Sequence, residues 1–379
     1  MSEHRRSDAG PFETILGDLY RRHASRLPPG TEWFDAHTHT GFNDPDGFKA
    51  SAEQIIGGLD AAGHARALVF SSQEPHGYRA ANDRVTAEAL ASGGRLLALC
   101  RLDPHDDPVE EARRCLDAGA VGFKLHPRAE RFTMSEPAVQ RVVALAHERR
   151  LPIVIHAGRG IPALGRDTVM LARRFPGARL ILAHAGISDL AWIWRDAQTC
   201  PNLFFDTAWW NVADLLALFA LVPPGHILYA SDMPYGHPMF NGLALLRCGE
   251  SVGLAPDVLA EIAGHQLRRL LEGGEARDLG PAPGPPSQPQ PPAAPRVVQH
   301  LTGAISRTMG GADPTEPLAL ARLACDVPAD DPEWPLLQRV TPMIVAAQEA
   351  VAELPGSLRR VVGPAVSAAL LAGTPTVEP

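Results

Sequence analysis

The chain has 379 residues, 45% of them hydrophobic and 21% charged, which is the composition of a soluble globular protein with room for one large domain and a smaller addition. A net charge of −8 and the lack of any basic block exclude a nucleic-acid footprint, and no apolar run approaches the ~20 residues that a membrane span requires. The five cysteines (Cys100, Cys115, Cys200, Cys248, Cys325) are scattered and form no Cys-x-x-Cys, so reduced thiols and a cytoplasmic location are expected.

Residues 1–31 read as an N-terminal extension with a helix over Phe12–Leu27, and the polar start leads into no signal-type apolar core. From 32 to 278 short apolar runs alternate with helical patterns. Eight runs read as strands: Glu32–His37, Arg66–Phe70, Arg95–Arg101, Val121–His126, Pro152–His156, Arg179–His184, Asn202–Asp206 and His226–Asp232. Between them, Ser51–Ala62, Pro108–Ala118, Ser135–Arg149, Asp167–Phe175 and Asn211–Leu221 have helical spacing, and Asp257–Leu271 closes the series. Eight strand–helix units over about 240 residues predict a (β/α)8 TIM barrel. The competing doubly wound sheet would carry a Gly-rich phosphate loop after its first strand, and no G-x-G-x-x-G stands there. Residues 279–296 form a Pro-rich linker, with eight prolines in Pro281–Pro295. Residues 297–379 predict a small helical module, clearest over Pro332–Leu354 and Leu358–Leu371, without a His/Asp/Glu cluster. On this reading, a chain cut near Leu279 leaves a folded, metal-loaded barrel.

In such a barrel the chemistry sits at the C-terminal ends of the strands. Strand one ends in His37-Thr38-His39, whose side chains share a face because strand residues alternate. Strand four ends in Lys124-Leu125-His126, strand five in His156, strand six in His184 and strand eight in Asp232. Each is a polar residue closing an apolar run. Imidazole suits zinc and its first-row neighbours, and three protein ligands with an open water position make a catalytic site. Only two lysines, Lys49 and Lys124, stand among 35 basic residues, which points to a task at Lys124 that arginine cannot perform.

The His-x-His on strand one, the histidines after strands five and six and the Asp after strand eight resemble the amidohydrolase superfamily of metal-dependent barrels. The segments Gly122-Phe123-Lys124-Leu125-His126-Pro127, Val154-Ile155-His156-Ala157-Gly158 and Ser231-Asp232-Met233-Pro234-Tyr235-Gly236 are similar to its amidohydrolase-related branch, which includes decarboxylases of aminocarboxymuconate semialdehyde and of aromatic acids, a hydratase and a lactonase. The resemblance spans about 32–271. It implies that His37, His39, His156 and Asp232 hold one divalent ion, zinc with manganese as the alternative, a second ion not being expected. It further implies that His184 lies beside that ion as a base or electrostatic partner, and that Asp232 moves the proton of an activated water. Lys124 reads as an uncarboxylated contact to substrate or transition state, the other role being a carboxylated bridge between two metals.

His126, Arg128 and Arg159 follow strands four and five, where a guanidinium suits a substrate carboxylate. Trp209 and Tyr235, with Trp210 and Tyr78, are candidates for an apolar wall. The expected activity is hydrolysis of a C–N or C–O bond at a carbonyl carbon by a metal-activated water. The rival is non-oxidative decarboxylation of an unsaturated or aromatic acid, and a further rival is a barrel that has lost catalysis and serves as a binding partner. The expected partners are a small-molecule substrate, a carboxylate among them, and further copies of the chain in a homo-oligomer.

Overall fold

The computed structural model describes residues 11–287, 291–353 and 358–377; parts of the expected extension (1–10), linker (288–290) and helical tail (354–357, 378–379) lie outside them. A first helix, α1 (Pro11–Ala24), precedes the barrel. The strands are β1 (Phe34–Thr40), β2 (Arg66–Ser71), β3 (Leu96–Arg101), β4 (Gly122–Leu125), β5 (Pro152–Ile155), β6 (Arg179–Leu182), β7 (Leu203–Asp206) and β8 (Ile227–Leu228). Helices α2 (Ala52–Ala62), α3 (Arg79–Ala91), α4 (Pro108–Ala118), α5 (Pro127–Glu130) and α6 (Pro137–Arg149) lie between the first five strands. Then come α7 (Gly165–Arg174), α8 (Leu190–Ala197), α9 (Val212–Leu221), α10 (Pro238–Ser251), α11 (Pro256–Ala260) and α12 (Gln266–Leu271). The tail contributes α13 (Ala293–Met309), α14 (Thr315–Ala324), α15 (Trp334–Glu353) and α16 (Leu358–Gly373). None of these helices is long and apolar enough to cross a membrane.

The strands pair in sequence order, all parallel. Tyr229, just past β8, accepts from Ala36 N at 2.9 Å, and Asp232 N and His39 N continue the seam with His37 O and Met233 O, which brings the last strand back to the first. The barrel predicted from eight apolar runs is the fold found. Phe34, Phe70, Leu99, Val154, Ile181, Phe204 and Leu228 fill the interior, every one buried. The alternate residues face the helices, giving the outer layer its own apolar packing.

Local signals set the element ends. At α2, Ser51 Oγ accepts from Gln54 N at 3.3 Å and Gln54 Oε1 accepts from Ser51 N at 2.9 Å, while Gly63 closes the helix with φ 71°. The helical stretch expected over Asp257–Leu271 starts one residue earlier, at Pro256, and widens into a π turn at Glu261–His265. Gly264 lies there, and a Cβ on it would stand 2.1 Å from Glu32 O and 2.7 Å from Phe34 N, so this turn presses its backbone against β1. The Pro-rich stretch ends sooner than its composition predicts, because 293–295 already form the first turn of α13, where proline is tolerated.

The tail rests on the barrel through α16, which packs on α9 and α10, while α13 and α15 pack on α16 and α14 packs on both of them. Gly373 of α16 is close enough to Val212 of α9 that a Cβ would approach within 2.8 Å, and Gly284 N donates to Ala220 O at 3.0 Å. Arg247 of α10 is fully buried and donates to Thr374 Oγ1, Thr374 O and Val377 O at 2.9, 2.9 and 3.3 Å.

Candidate metal centre

The polar strand ends meet at one mouth of the barrel. His37 Nε2, His39 Nε2 and Asp232 Oδ1 converge: the two nitrogens are 3.1 Å apart and the carboxylate oxygen is 3.2 and 3.1 Å from them. Asp206, at the end of β7, accepts at 2.8 Å from His37 Nδ1, and neither side chain is exposed. A carboxylate only accepts, so the proton sits on Nδ1 and the lone pair of His37 is on Nε2, directed at the focus. His39 has no partner at Nδ1. Burial holds both imidazoles well below their ordinary pKa and pushes Asp232 well above the usual carboxylate range, although Lys124 pulls it down. Lone pairs this close repel one another unless a cation lies among them. Two neutral imidazoles and a carboxylate are therefore a donor set that fits a divalent metal ion.

The other two histidines form a chain beside this focus. Ala208 O accepts from His184 Nδ1 at 2.8 Å, which leaves the lone pair of His184 on Nε2, 3.0 Å from His156 Nδ1. His156 therefore donates through Nδ1 and carries its own lone pair on Nε2. His156 stands outside the converging trio, one ring removed, with Nε2 3.5 Å from Arg159 O. His184 Nδ1 is 3.9 Å from Asp232 Oδ2, and its ring centre is 5.1 Å from that of His37. Gly158 makes this crowding possible, since a Cβ there would stand 2.7 Å from His184 Cδ2 and 3.1 Å from His156 Cε1. Two of the residues concerned, His184 and Asp232, are held at φ 58° without being glycine. Strain of this kind persists only where its surroundings over-determine it, and it clusters at functional sites.

Lys124 is wholly buried and its Nζ has no hydrogen-bond partner. Nζ lies 4.7 Å from the centre of the Phe70 ring, which is itself 4.5 Å from His39 and 5.1 Å from His37. Burial, reinforced by Arg101, lowers this amine to about pKa 7. His126 stacks on His156 with ring centres 3.9 Å apart and accepts from Ala129 N, so it is a platform for that ring and the cap of α5. Arg128 and Arg159 lie exposed on the rim, Arg128 running along Gly160. Trp209 is 6.0 Å from His184 and its Nε1 donates to Asp214. Tyr235 meets His39 edge-on at 5.0 Å and donates to Asp44 at 2.5 Å.

Sequence reasoning missed three residues that organise this mouth. Asp206 also accepts from His184 N and Ala208 N through Oδ1. Asp35 Oδ1 accepts from His37 N and Ser231 N, tying β1 to the residue before Asp232, and burial raises its carboxyl to about pKa 7. Arg101, closing β3, makes a buried pair with Glu130 at 2.8 Å, and Tyr78 donates to the same oxygen at 2.5 Å. Asp206 and Arg101 carried the same mark as the histidines, a polar residue ending an apolar run.

A family model described as amidohydrolase matches residues 35–265, more than half of the chain. No curated protein sequence matches. Similar solved structures include 2,6-dihydroxybenzoate decarboxylase from Rhizobium (16% identity, TM-score 0.53, 64% of this chain and 98% of that one). A dihydroxybenzoic acid decarboxylase from Polaromonas, bound to manganese and 2-nitroresorcinol, aligns at 14% identity and TM-score 0.52 over 64% of this chain and 97% of that one. For 4-oxalomesaconate hydratase from Rhodopseudomonas palustris the values are 15%, 0.50, 64% and 96%. At such identities the likeness is one of fold. The family match and the donor set at the barrel mouth agree, and the chain belongs to the amidohydrolase family of metal-dependent enzymes.

Proposed function

We propose that the enzyme hydrolyses a C–N or C–O bond at a carbonyl carbon of a small, carboxylate-bearing substrate. The observation that carries this reading is the convergence of His37 Nε2, His39 Nε2 and Asp232 Oδ1, with His156 joined to this group through His184. Those four residues would hold one divalent ion, zinc or the manganese that the Polaromonas decarboxylase binds. When bound, such an ion lowers the pKa of a water to roughly 7 and polarises a carbonyl oxygen. Asp232 Oδ2, which the two histidines leave free, takes the proton of the attacking water and returns it to the leaving group. Lys124 Nζ offers an unpaired N–H to the oxyanion, where a preorganised donor is worth most. Arg128 and Arg159 on the rim draw in the substrate carboxylate, and Trp209 and Tyr235 wall the mouth.

Non-oxidative decarboxylation is the second reading, favoured by the fold shared with decarboxylases and by an unpaired lysine suited to a carboxylate. It needs an acid to protonate a carbanion. His184 is poorly disposed for that, because both of its nitrogens are engaged. Elemental analysis of protein purified without chelator, set beside that of His37→Ala, tests the centre first: the variant is expected to lose one ion per chain, loss of two would make Lys124 a carboxylated bridge, and no ion even after reconstitution would end the mechanism. Esters, amides, lactones and carboxyl-labelled acids are then offered to the loaded enzyme. Hydrolysed fragments support the first reading; labelled CO2 replaces it with the second.

A further inference from the structure

A second group of ligating atoms lies outside the barrel bore. Along β3, Leu99 and Arg101 point inward, so Cys100 points out to the helix layer, where it meets Cys115 of α4. The two thiols and the carboxylate of Glu111 lie within 4.8 Å of one another, and the thiols are 2% and 1% exposed. Cys115 Sγ donates to Glu111 Oε1 at 3.2 Å. Asn82 of α3 spans the group, its Nδ2 standing 3.5 Å from Cys100 Sγ and 2.9 Å from Glu111 Oε1. A cavity of about 200 Å3 opens against Glu111, and Asp103, Asp106, Asp107 and Glu110 line it together with Arg79 and Arg101, so carboxylates outnumber guanidiniums there.

We propose that Cys100, Cys115 and Glu111 bind a thiophilic divalent cation of the zinc type. Thiolate sulfur selects such ions over magnesium and calcium, and zinc accepts sulfur and carboxylate oxygen together. Each thiol gives its proton to solvent as its sulfur binds. The resulting negative charge is met by Arg114, whose Nε and Nη2 lie 2.7 and 2.8 Å from the Glu111 oxygens and which also pairs with Asp83, and by Arg79, 3.8 Å from Glu111, so two thiolates and the carboxylates of Glu111 and Asp83 balance one divalent ion and two guanidiniums. The carboxylate-lined cavity concentrates cations at the entrance and supplies water for a fourth position. Because Cys100 is on β3 and Cys115 and Glu111 are on α4, the bound ion pins these two elements together, away from the histidine centre, and Asn82 holds α3 against them through its amide N–H.

The test uses the full chain, reduced and stripped of metal, titrated with Co2+. The histidine centre contains no sulfur, so thiolate-to-cobalt charge-transfer absorption reports this cluster alone. The expected result is a band that is complete at two equivalents in all, one for each centre, is displaced by Zn2+, and is lost in Cys115→Ser while cobalt remains at the histidines. Glu111→Gln keeps both thiols and the Asn82 bond, and is expected to weaken this binding at least tenfold; it decides the matter if Cys115→Ser does not fold. The proposal is overturned by the absence of the band while the thiols stay reduced, by its persistence unchanged in both variants, or by a Cys100–Cys115 disulfide that forms in place of metal binding.

Discussion

Asp206 determines what His37 can do. By accepting from Nδ1 it keeps the lone pair of His37 at Nε2, so Asp206→Asn, which can present an amide N–H to the same ring, is expected to lower metal affinity about 10–100-fold, read by competition with a chelating dye. Lys124 is the opposite case, a buried amine that its surroundings disfavour. Lys124→Met is expected to leave Tm unchanged or higher while kcat/KM falls roughly 100-fold; unchanged activity would remove the lysine from the chemistry. His156→Ala separates a ligand from a neighbour: the resemblance implies that metal is lost, and full metal content in the folded variant would reduce the centre to His37, His39 and Asp232. At this scale the sequence displays residue types and strand ends. It does not display Asp206 facing His37, since the two lie on strands 169 residues apart.

The elements found by periodicity are those with one apolar face, such as α4, which ends at the predicted residue, and α9, whose bounds differ by one residue at its start. Helix α10 escaped notice because it is buried almost all round and shows no alternation, and α3 because its inner face is Ala81, Asn82, Val85, Thr86 and Ala89. The join between α1 and the barrel is a contact between elements that carries its own pH signature. His64 stacks on Trp33 with ring centres 4.8 Å apart and planes 8° apart, and its Nε2 is 2.9 Å from Tyr20 Oη. Burial, with a smaller contribution from His237, lowers His64 to about pKa 3 from 6.5. The folded value is below the unfolded one, so the unfolded chain binds the proton first. Stability from this site is complete above pH 6.5 and declines as pH falls from there toward 3, by about 1.4 kcal/mol per unit. Urea unfolding of His64→Gln across that window is expected to give a shallower decline than wild type, and parallel slopes would refute the assignment.

Across the whole molecule, the tail completes the outer layer of the barrel. The sequence predicts that a cut near Leu279 leaves a sound barrel, because the proline run reads as a boundary. The packing argues otherwise: α16 lies on α9 and α10, and residues 374 and 377 accept from the guanidinium of the buried Arg247. A chain ending at 279 would bare the apolar faces of α9 and α10, and its Tm is expected to fall by ~5 °C or more, or the protein to aggregate. An unaltered melting curve would return the tail to the status of an appendage.

Sequence alone determined what depends on near neighbours: eight strand–helix units, the pair His37 and His39 on one face, and polar residues closing β4, β5, β6 and β8. Strand and helix periods are local, so they can be read from consecutive letters. Tertiary structure decided which of those strand ends touch. It joined His37 to Asp206, linked His156 to His184 rather than to the trio, set Cys100 against Cys115, and laid α16 over Arg247. Each of these depends on the shear and curvature of a closed sheet and on how its helices pack, quantities summed over the whole chain and written in no single stretch of it.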